Sequence, residues 1–469
     1  MFGLKKKNNS KKKILFYKNL KFSEFDINNK INRINKLINL NRAVVFLFCE
    51  NSHNFIFFYL SLMSSNAVIF LLDKNINQKK FDEITKEFKP NFIIKPKDNN
   101  IKINLDKFVT NIYNYKIYLF SHKKIRVNPE LKLLLLTSGS TGPSKFVMLS
   151  KQNLVTNIKQ ICDYLKINRS DKVIINLPLN YSYGLSIFNT HFLKRGKIIL
   201  SENSVIEKKF WDLFKKFKIT CIYGVPQTYE ILKRIKFINK NLNYLKFMAV
   251  AGGKINNKAL EYMCFLAKKN SFNFFNMYGQ TEASPRIAYA SLKNKYQNIS
   301  TVGRPVRGGR LFIKDNKGKI INRKNKEGLL YYYGKNVMIS YAKNKGDLVK
   351  TRSNKFIINT NDIAKKDDNN NFEITGRFDK FVKINSQKIN LSNLENFVSS
   401  FSKSNACIGK NNRILVFVES LKIKKNDLKK KLSFFSNLNK NLILINNLKK
   451  IPKTYNNKVN YFKLKSLKV

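Results

Sequence analysis

The chain of 469 residues holds three histidines, five cysteines and 29 acidic residues against 90 basic ones. The cysteines, Cys49, Cys162, Cys221, Cys264 and Cys407, are scattered, and no Cys-x-x-Cys pair occurs. That spacing disfavours a zinc site and a disulfide scaffold, and it suits a reducing compartment. With only His53, His122 and His191 available, His-rich metal chemistry and His-based triads are disfavoured as well. The basic N-terminus, Met1 to Lys13, is followed by no long apolar stretch with a cleavage site, so no secretory signal is read. The uncharged run Phe55 to Leu72 approaches bilayer-spanning length, but Ser61, Ser64, Ser65 and Asn66 interrupt it. It divides into a helix, Ser52 to Ser64, and a buried strand, Ala67 to Leu72. A cytoplasmic chain without a transmembrane segment is expected.

What is abundant is apolar and basic. Hydrophobic residues make up 43% and aromatics 13%, enough to bury a core, which excludes a wholly disordered basic tail. The net charge of +61 suggests a nucleic-acid binder. Against this, Lys, Asn, Ile and Phe are all high along the whole chain, as AT-rich codon usage produces, and the lysines form no single stripe. No specific nucleic-acid partner is expected.

Short apolar runs alternate with helical periodicity. Ala43–Phe48, Ala67–Leu72, Phe92–Ile94 and Leu131–Leu136 read as buried strands, followed by Val173–Leu177, Lys197–Leu200, Cys221–Val225 and Phe247–Ala251. This is the βαβ signature of a mostly parallel sheet. Ser150 is a plausible N-cap for a helix that puts Leu154, Ile158, Ile161 and Leu165 on one face. After about Thr301 the texture changes to strands and turns, such as Asp315–Gly318 and Asp367–Asn371.

Thr137-Ser-Gly-Ser-Thr-Gly-Pro-Ser-Lys145 follows the strand Leu131–Leu136 directly. Gly139 and Gly142 let the backbone turn and expose amides. Ser138, Ser140 and Thr141 add hydroxyl donors, and Lys145 adds a charge. Between a buried strand and a helix, this is a cradle for phosphate oxygens. It lacks the Gly-Lys-Ser/Thr ending of a Walker loop. The alternative is an ordinary Gly/Ser turn.

This segment resembles the phosphate loop of the adenylate-forming superfamily, which includes acyl-CoA synthetases, nonribosomal adenylation domains and luciferases, with Pro143 and Ser144 swapped relative to the usual order. The resemblance continues in the family's order through Ala251-Gly-Gly253, Asn276-Met-Tyr-Gly-Gln-Thr-Glu282, Thr360-Asn-Asp362, Gly376-Arg377-Phe-Asp379 and Pro452-Lys-Thr-Tyr-Asn-Asn-Lys458. It implies a large N-terminal α/β domain over 1–379, with parallel-type sheets flanked by helices and a β-rich end. A small mobile α+β domain follows over 380–469 and reorients about Asp379.

The resemblance also assigns roles. ATP and Mg²⁺ are the implied cofactors. Tyr278 would stack on adenine, with Gly252, Gly253 and Gly279 letting backbone approach the base. Asp362 would take the ribose hydroxyls, and Arg377 would reach the ribose or phosphate. Thr281 would donate to the α-phosphate, Glu282 would hold Mg²⁺, and Lys458 would stabilise charge where a carboxylate attacks the α-phosphorus. The implied reaction is acyl-adenylate formation from a carboxylic acid, then transfer to a thiol of CoA or of a carrier-protein phosphopantetheine. Asn361 and Asn457 stand where the family has Gly, and Asn is the residue that best tolerates positive φ there. Ser386 stands where the family commonly has a Gly beside the pantetheine passage, which bears on thiol transfer more than on adenylation. Pro178-Leu-Asn-Tyr-Ser-Tyr-Gly184 resembles the segment beside the acyl pocket. No Asp lies between Pro178 and His191 to pair with an α-ammonium, which favours a fatty, aryl or other acid without an α-amine. The basic surface would suit an acidic carrier protein. Two rival readings are a charge-driven nucleic-acid binder and a non-catalytic relative that binds ATP without turnover.

Overall fold

In the strand Val44–Cys49 every residue is buried, and its side chains divide between two cores. Val45 and Leu47 join one cluster, while Val44, Phe46 and Phe48 join another. The same alternation splits Val68–Asp73, with Ile69 and Leu71 on one side and Val68, Phe70 and Leu72 on the other. A strand apolar on both faces has to lie within a stack of layers, because successive side chains point to opposite sides of a sheet. A computed structural model defines that stack and describes residues 12–38, 40–103, 107–120, 123, 126–137, 145–235, 242–292, 301–385, 387–453 and 459–467.

Among the described residues the first sheet has eight strands. Val44–Cys49 pairs in parallel with Val68–Asp73 and Phe92–Pro96, and Val68–Asp73 pairs in parallel with Leu131–Leu136. Phe146–Ser150 and then Ser340–Ala342 extend it antiparallel. The second sheet has 13 strands. Lys13–Tyr17, Lys197–Leu200, Lys172–Ile175, Cys221–Gly224, Phe247–Val250 and Asn273–Gly279 run parallel in that spatial order. From Arg286–Ser291 onward the sheet is antiparallel, ending at Gly328–Tyr333 and Arg310–Lys314.

The helices His53–Ser64, Lys151–Tyr164 and Ser182–Leu193 lie between the sheets and share one core with both. Gln78–Phe88 covers the outer face of the first sheet through Phe81, Ile84 and Phe88. Lys208–Phe217, Pro226–Arg234 and Asn257–Lys269 cover the outer face of the second. The result is helix, sheet, helix, sheet, helix, the α/β layering expected for alternating strands and helices.

The buried strands expected from the sequence are present, each within a residue or two of the expected ends. Ser150 caps Lys151–Tyr164 with a reciprocal pair. Its Oγ accepts from the Asn153 amide at 3.0 Å, and its own amide donates to Asn153 Oδ1 at 2.9 Å. Between Thr301 and Asn390 the described residues contain no α-helix, matching the expected change of texture. The run Phe55–Leu72 resolves into helix and strand, and no helix among the described residues is long and apolar enough to cross a membrane. The pair Lys13–Tyr17 and Leu20–Ser23, not singled out from sequence, is an edge of the second sheet, with Leu15 fully buried.

After Lys380, Phe381–Ile384 pairs with Gln387–Asn390. Ser402–Lys410, Arg413–Leu421 and Ile443–Asn447 form a separate three-stranded sheet. Leu391–Val398 and Lys425–Ser436 pack on it, and two hydrophobic clusters here draw only on residues beyond Lys380.

Candidate active site

The parallel strands Cys221–Gly224, Phe247–Val250 and Asn273–Gly279 are in register, with Gly224 beside Val250 and Val250 beside Asn276. Their carboxyl ends therefore deliver Ala251-Gly-Gly253 and Tyr278–Glu282 to one edge, where open α/β sheets take up ligands. Gly252 has φ +90, a conformation that L side chains rarely adopt. At Gly279 a Cβ would stand 2.1 Å from the Pro285 carbonyl oxygen. The chain's own packing thus demands glycine at 279, independently of any base beside it.

The structure brings three of the expected residues together here. The Tyr278 phenol donates to Asp362 Oδ2. Arg377 Nε lies 3.6 Å from Asp362 Oδ1, because the two residues face each other across adjacent strands. Burial, reinforced by the Asp362 charge, holds the Tyr278 phenol well above its ordinary range, so it stays a donor. Asn361 has φ +60, as expected for an Asn in place of Gly.

A second group adjoins the turn Thr281–Ala283. Thr281 Oγ1 is 3.2 Å from Ser182 Oγ. Glu282 Oε1 accepts from the Tyr341 phenol at 2.7 Å, and the Lys145 ammonium lies 4.1 Å from the centroid of the Tyr341 ring. Burial first, and then the Glu282 charge, push the Tyr341 phenol upward. Tyr341 and Ser182 were not singled out from sequence. Ser182 lay within the Pro178–Gly184 segment, but its contact partner is remote in the chain. Tyr341 reaches the site because Ser340–Ala342 pairs with Phe146–Met148, placing Tyr341 opposite Val147, and no local pattern reveals that.

The phosphate-loop candidates Ser138, Gly139, Ser140, Thr141 and Gly142 lie outside the described residues, as do Ser386, Asn457 and Lys458. The loop's ends are described, and they are tied together. The Thr137 amide and hydroxyl both donate to the Lys145 carbonyl at 3.2 Å. The expected strand–loop–helix order needs one correction. The strand Phe146–Ser150 intervenes, so the segment joins two antiparallel strands before the helix that Ser150 caps, as expected, at Lys151.

Among the described residues, no three His, Cys, Asp or Glu side chains gather as a metal cage. Magnesium is commonly held by one or two carboxylates plus substrate phosphates, and Glu282 fits that use. Burial pushes His53 and His191 down to about 4, so both act as neutral packing groups.

The protein is a five-layered α/β protein with a Tyr–Asp–Arg set and a Thr–Glu turn at the carboxyl end of Asn273–Gly279. Residues 38–342 match the AMP-binding enzyme family, and the chain belongs to it. Among curated relatives it is 27% identical over 255 residues to an acyl-CoA ligase, sidI, of Aspergillus fumigatus, covering 53% of this chain and 43% of that protein. It is 26% identical over 281 residues to an oxalate–CoA ligase of Saccharomyces cerevisiae, covering 58% and 50%. The chain thus spans about half the length or less of the curated relatives it matches. Among solved structures, the O-succinylbenzoate coenzyme A synthetase (MenE) of Bacillus subtilis in complex with AMP superposes with a TM-score of 0.78. The identity is 16%, covering 97% of this chain and 95% of that one. ATP-bound MatB of Rhodopseudomonas palustris gives a TM-score of 0.76 at 17% identity, covering 97% and 96%. These likenesses establish the fold.

Proposed function

We propose that this chain activates a carboxylic acid with ATP, giving acyl-adenylate and pyrophosphate, and then passes the acyl group to a thiol of CoA or of a carrier-protein phosphopantetheine. One observation carries the reading. The Tyr278–Asp362–Arg377 set and the Thr281, Glu282, Tyr341 and Lys145 set are joined by the short segment Tyr278–Glu282 at the carboxyl end of Asn273–Gly279. The first set suits a nucleoside and the second suits its phosphates.

In the first half-reaction a substrate carboxylate oxygen bonds to the α-phosphorus, and the bond to the β-phosphate breaks, releasing pyrophosphate. Tyr278 offers its ring face to adenine, and Asp362 accepts from the ribose hydroxyls with Arg377 beside it. Thr281 donates to an α-phosphate oxygen. Glu282, held by the Tyr341 hydroxyl, is the carboxylate that would hold magnesium. When bound, that ion would neutralise phosphate charge. The family resemblance gives Lys458 the charge that develops at the α-phosphorus, and gives 138–142 the remaining phosphate contacts. It also makes 380–469 a lid that reorients about Asp379 between the two steps. The curated relatives named as CoA ligases favour CoA as acceptor. The free, buried state of all five cysteines suits a reducing, cytoplasmic setting.

Acid-dependent exchange of labelled pyrophosphate into ATP, run over a panel of carboxylic acids, tests the reading. Exchange with at least one acid is expected. ATP binding without exchange for any acid would mark a non-catalytic relative and overturn it.

A further inference from the structure

Arg286 is 3% exposed. Its guanidinium lies 4.9 Å from the centroid of the Tyr183 ring, and both its charge and a side-chain hydrogen bond lower the Tyr164 phenol that burial otherwise raises. It forms no ion pair with any described carboxylate, and its Nε is buried without a hydrogen-bond partner. Arg195 shows what a structural arginine does in this protein, since its Nε pairs with the buried Glu24 at 2.8 Å. Leaving a guanidinium buried without a counter-charge is costly, and a buried Nε without a partner calls for an explanation.

Two further polar groups are also buried and unpartnered. One is the Tyr223 hydroxyl, whose ring meets Tyr183 edge-on with centroids 6.3 Å apart. The other is Gln280 Nε2, inside the Tyr278–Glu282 motif. All three groups can donate a hydrogen bond to an incoming oxygen. Their place in the fold is also informative. Tyr183 follows Ser182, the contact of Thr281, and the Tyr183 hydroxyl donates to the Ala249 carbonyl at 3.0 Å, just ahead of the Ala251-Gly-Gly253 turn. The unmatched cation therefore lies against the residues that would meet the acid, on the side of the Pro178–Gly184 segment. No aspartate between Pro178 and His191 offsets its charge.

We infer that Arg286, with Tyr223 and Gln280, forms a subsite for a second carboxylate on the acid substrate. This names the substrate class of the adenylation reading and rests on it. The acid is a small dicarboxylate. One carboxylate reacts at the α-phosphorus while the other supplies the missing counter-charge of Arg286. The same cation repels an α-ammonium, which disfavours amino acids.

The test is pyrophosphate exchange by the full chain with matched acids: propanoate against malonate, butanoate against succinate, and pentanoate against glutarate. At least one diacid should exceed its monoacid partner by about 10²-fold in kcat/KM, as expected where a site built for a polar group meets an analogue lacking it. Arg286→Gln should erase that preference, chiefly through KM for the diacid, and Arg286→Lys should restore part of it. The wild-type ratio needs no variant, so a folding defect in Arg286→Gln leaves the test intact. Monoacids exchanging as well as diacids would overturn the subsite while leaving adenylation standing. No exchange with any acid, across these pairs and the wider panel, would overturn both.

Discussion

Lys132 is 6% exposed, in the strand Leu131–Leu136 that leads into the phosphate-loop segment. Its ammonium donates to the carbonyls of Leu62 at 2.7 Å, Ser65 at 2.6 Å and Ala67 at 2.8 Å. These oxygens close the helix His53–Ser64 and open the strand Val68–Asp73, so one side chain joins three elements. Lys132→Met keeps the length and apolar stem but takes the ammonium from the Ser65 and Ala67 carbonyls, while the Leu62 carbonyl keeps the Ser65 hydroxyl at 2.9 Å. Each unmet group costs about 1–3 kcal/mol. The methyl end recovers a part by burial, and a net loss of about 3 kcal/mol is expected near pH 7. The pH dependence has a definite sign. Burial, with a smaller contribution from the Lys151 charge, pushes the Lys132 ammonium from 10.5 down to about 7. Between pH 7 and 10.5 the unfolded chain therefore holds more of this proton than the folded one, so stability rises with pH across that window. The penalty for burying the charge is fully present below about 7. Urea unfolding of wild type and Lys132→Met in parallel, from pH 6 to 10, isolates this group from the other lysines. The stability gap should widen in favour of wild type as pH rises, by at most about 1.4 kcal/mol per pH unit. Equal stability at pH 7, or a gap that stays flat with pH, would refute the reasoning.

Glu282→Gln keeps the side-chain shape and the Tyr341 contact but loses the charge offered to magnesium. The magnesium concentration for half-maximal exchange should rise several-fold, and an unchanged titration would remove Glu282 from the metal's surroundings. Gly279→Ala would place a methyl 2.1 Å from the Pro285 carbonyl oxygen. It should cost about 2 kcal/mol or more in urea unfolding, as overpacking against backbone does, and a neutral result would show that this strand end yields easily. Lys458→Ala should lower acid-dependent pyrophosphate exchange by about 10²-fold, roughly 3 kcal/mol of transition-state charge stabilisation. Exchange at the wild-type rate would withdraw the role that the resemblance assigns.

The parallel strands were legible because burial on both faces leaves continuous apolar runs, and Val44–Cys49 and Phe247–Val250 carry nothing else. The helix after Ser150 was legible through its cap. Motif order gave Tyr278, Asp362 and Arg377, and the structure gathers them. Three kinds of feature were not legible. The strand Phe146–Ser150 is too short to separate from the loop before it and the helix after it. Lys13–Tyr17 holds a short apolar run flanked by the lysines of 5–13 and by Lys18 and Lys21, which mask its strand character. Tyr341 depends on pairing between strands far apart in sequence, which residue pattern does not encode.

Charge is where sequence and structure part most clearly, and composition is the reason. In a chain with 90 basic residues, residue type says almost nothing about which cation matters. Geometry does the sorting. Lys132 and Arg286 are both buried cations without a carboxylate partner among the described residues, but their surroundings differ. Lys132 meets three backbone carbonyls and is satisfied by the fold itself. Arg286 keeps a buried Nε that nothing in the described chain accepts from. A satisfied cation should reveal itself in unfolding free energy, and an unsatisfied one in substrate choice. Lys132→Met should therefore change stability while leaving the diacid-to-monoacid ratio of the folded fraction unchanged. Arg286→Lys should shift that ratio far more than it shifts the urea midpoint. Reversal of the two patterns would mean that burial alone, and not the match between donors and acceptors, governs what these cations do.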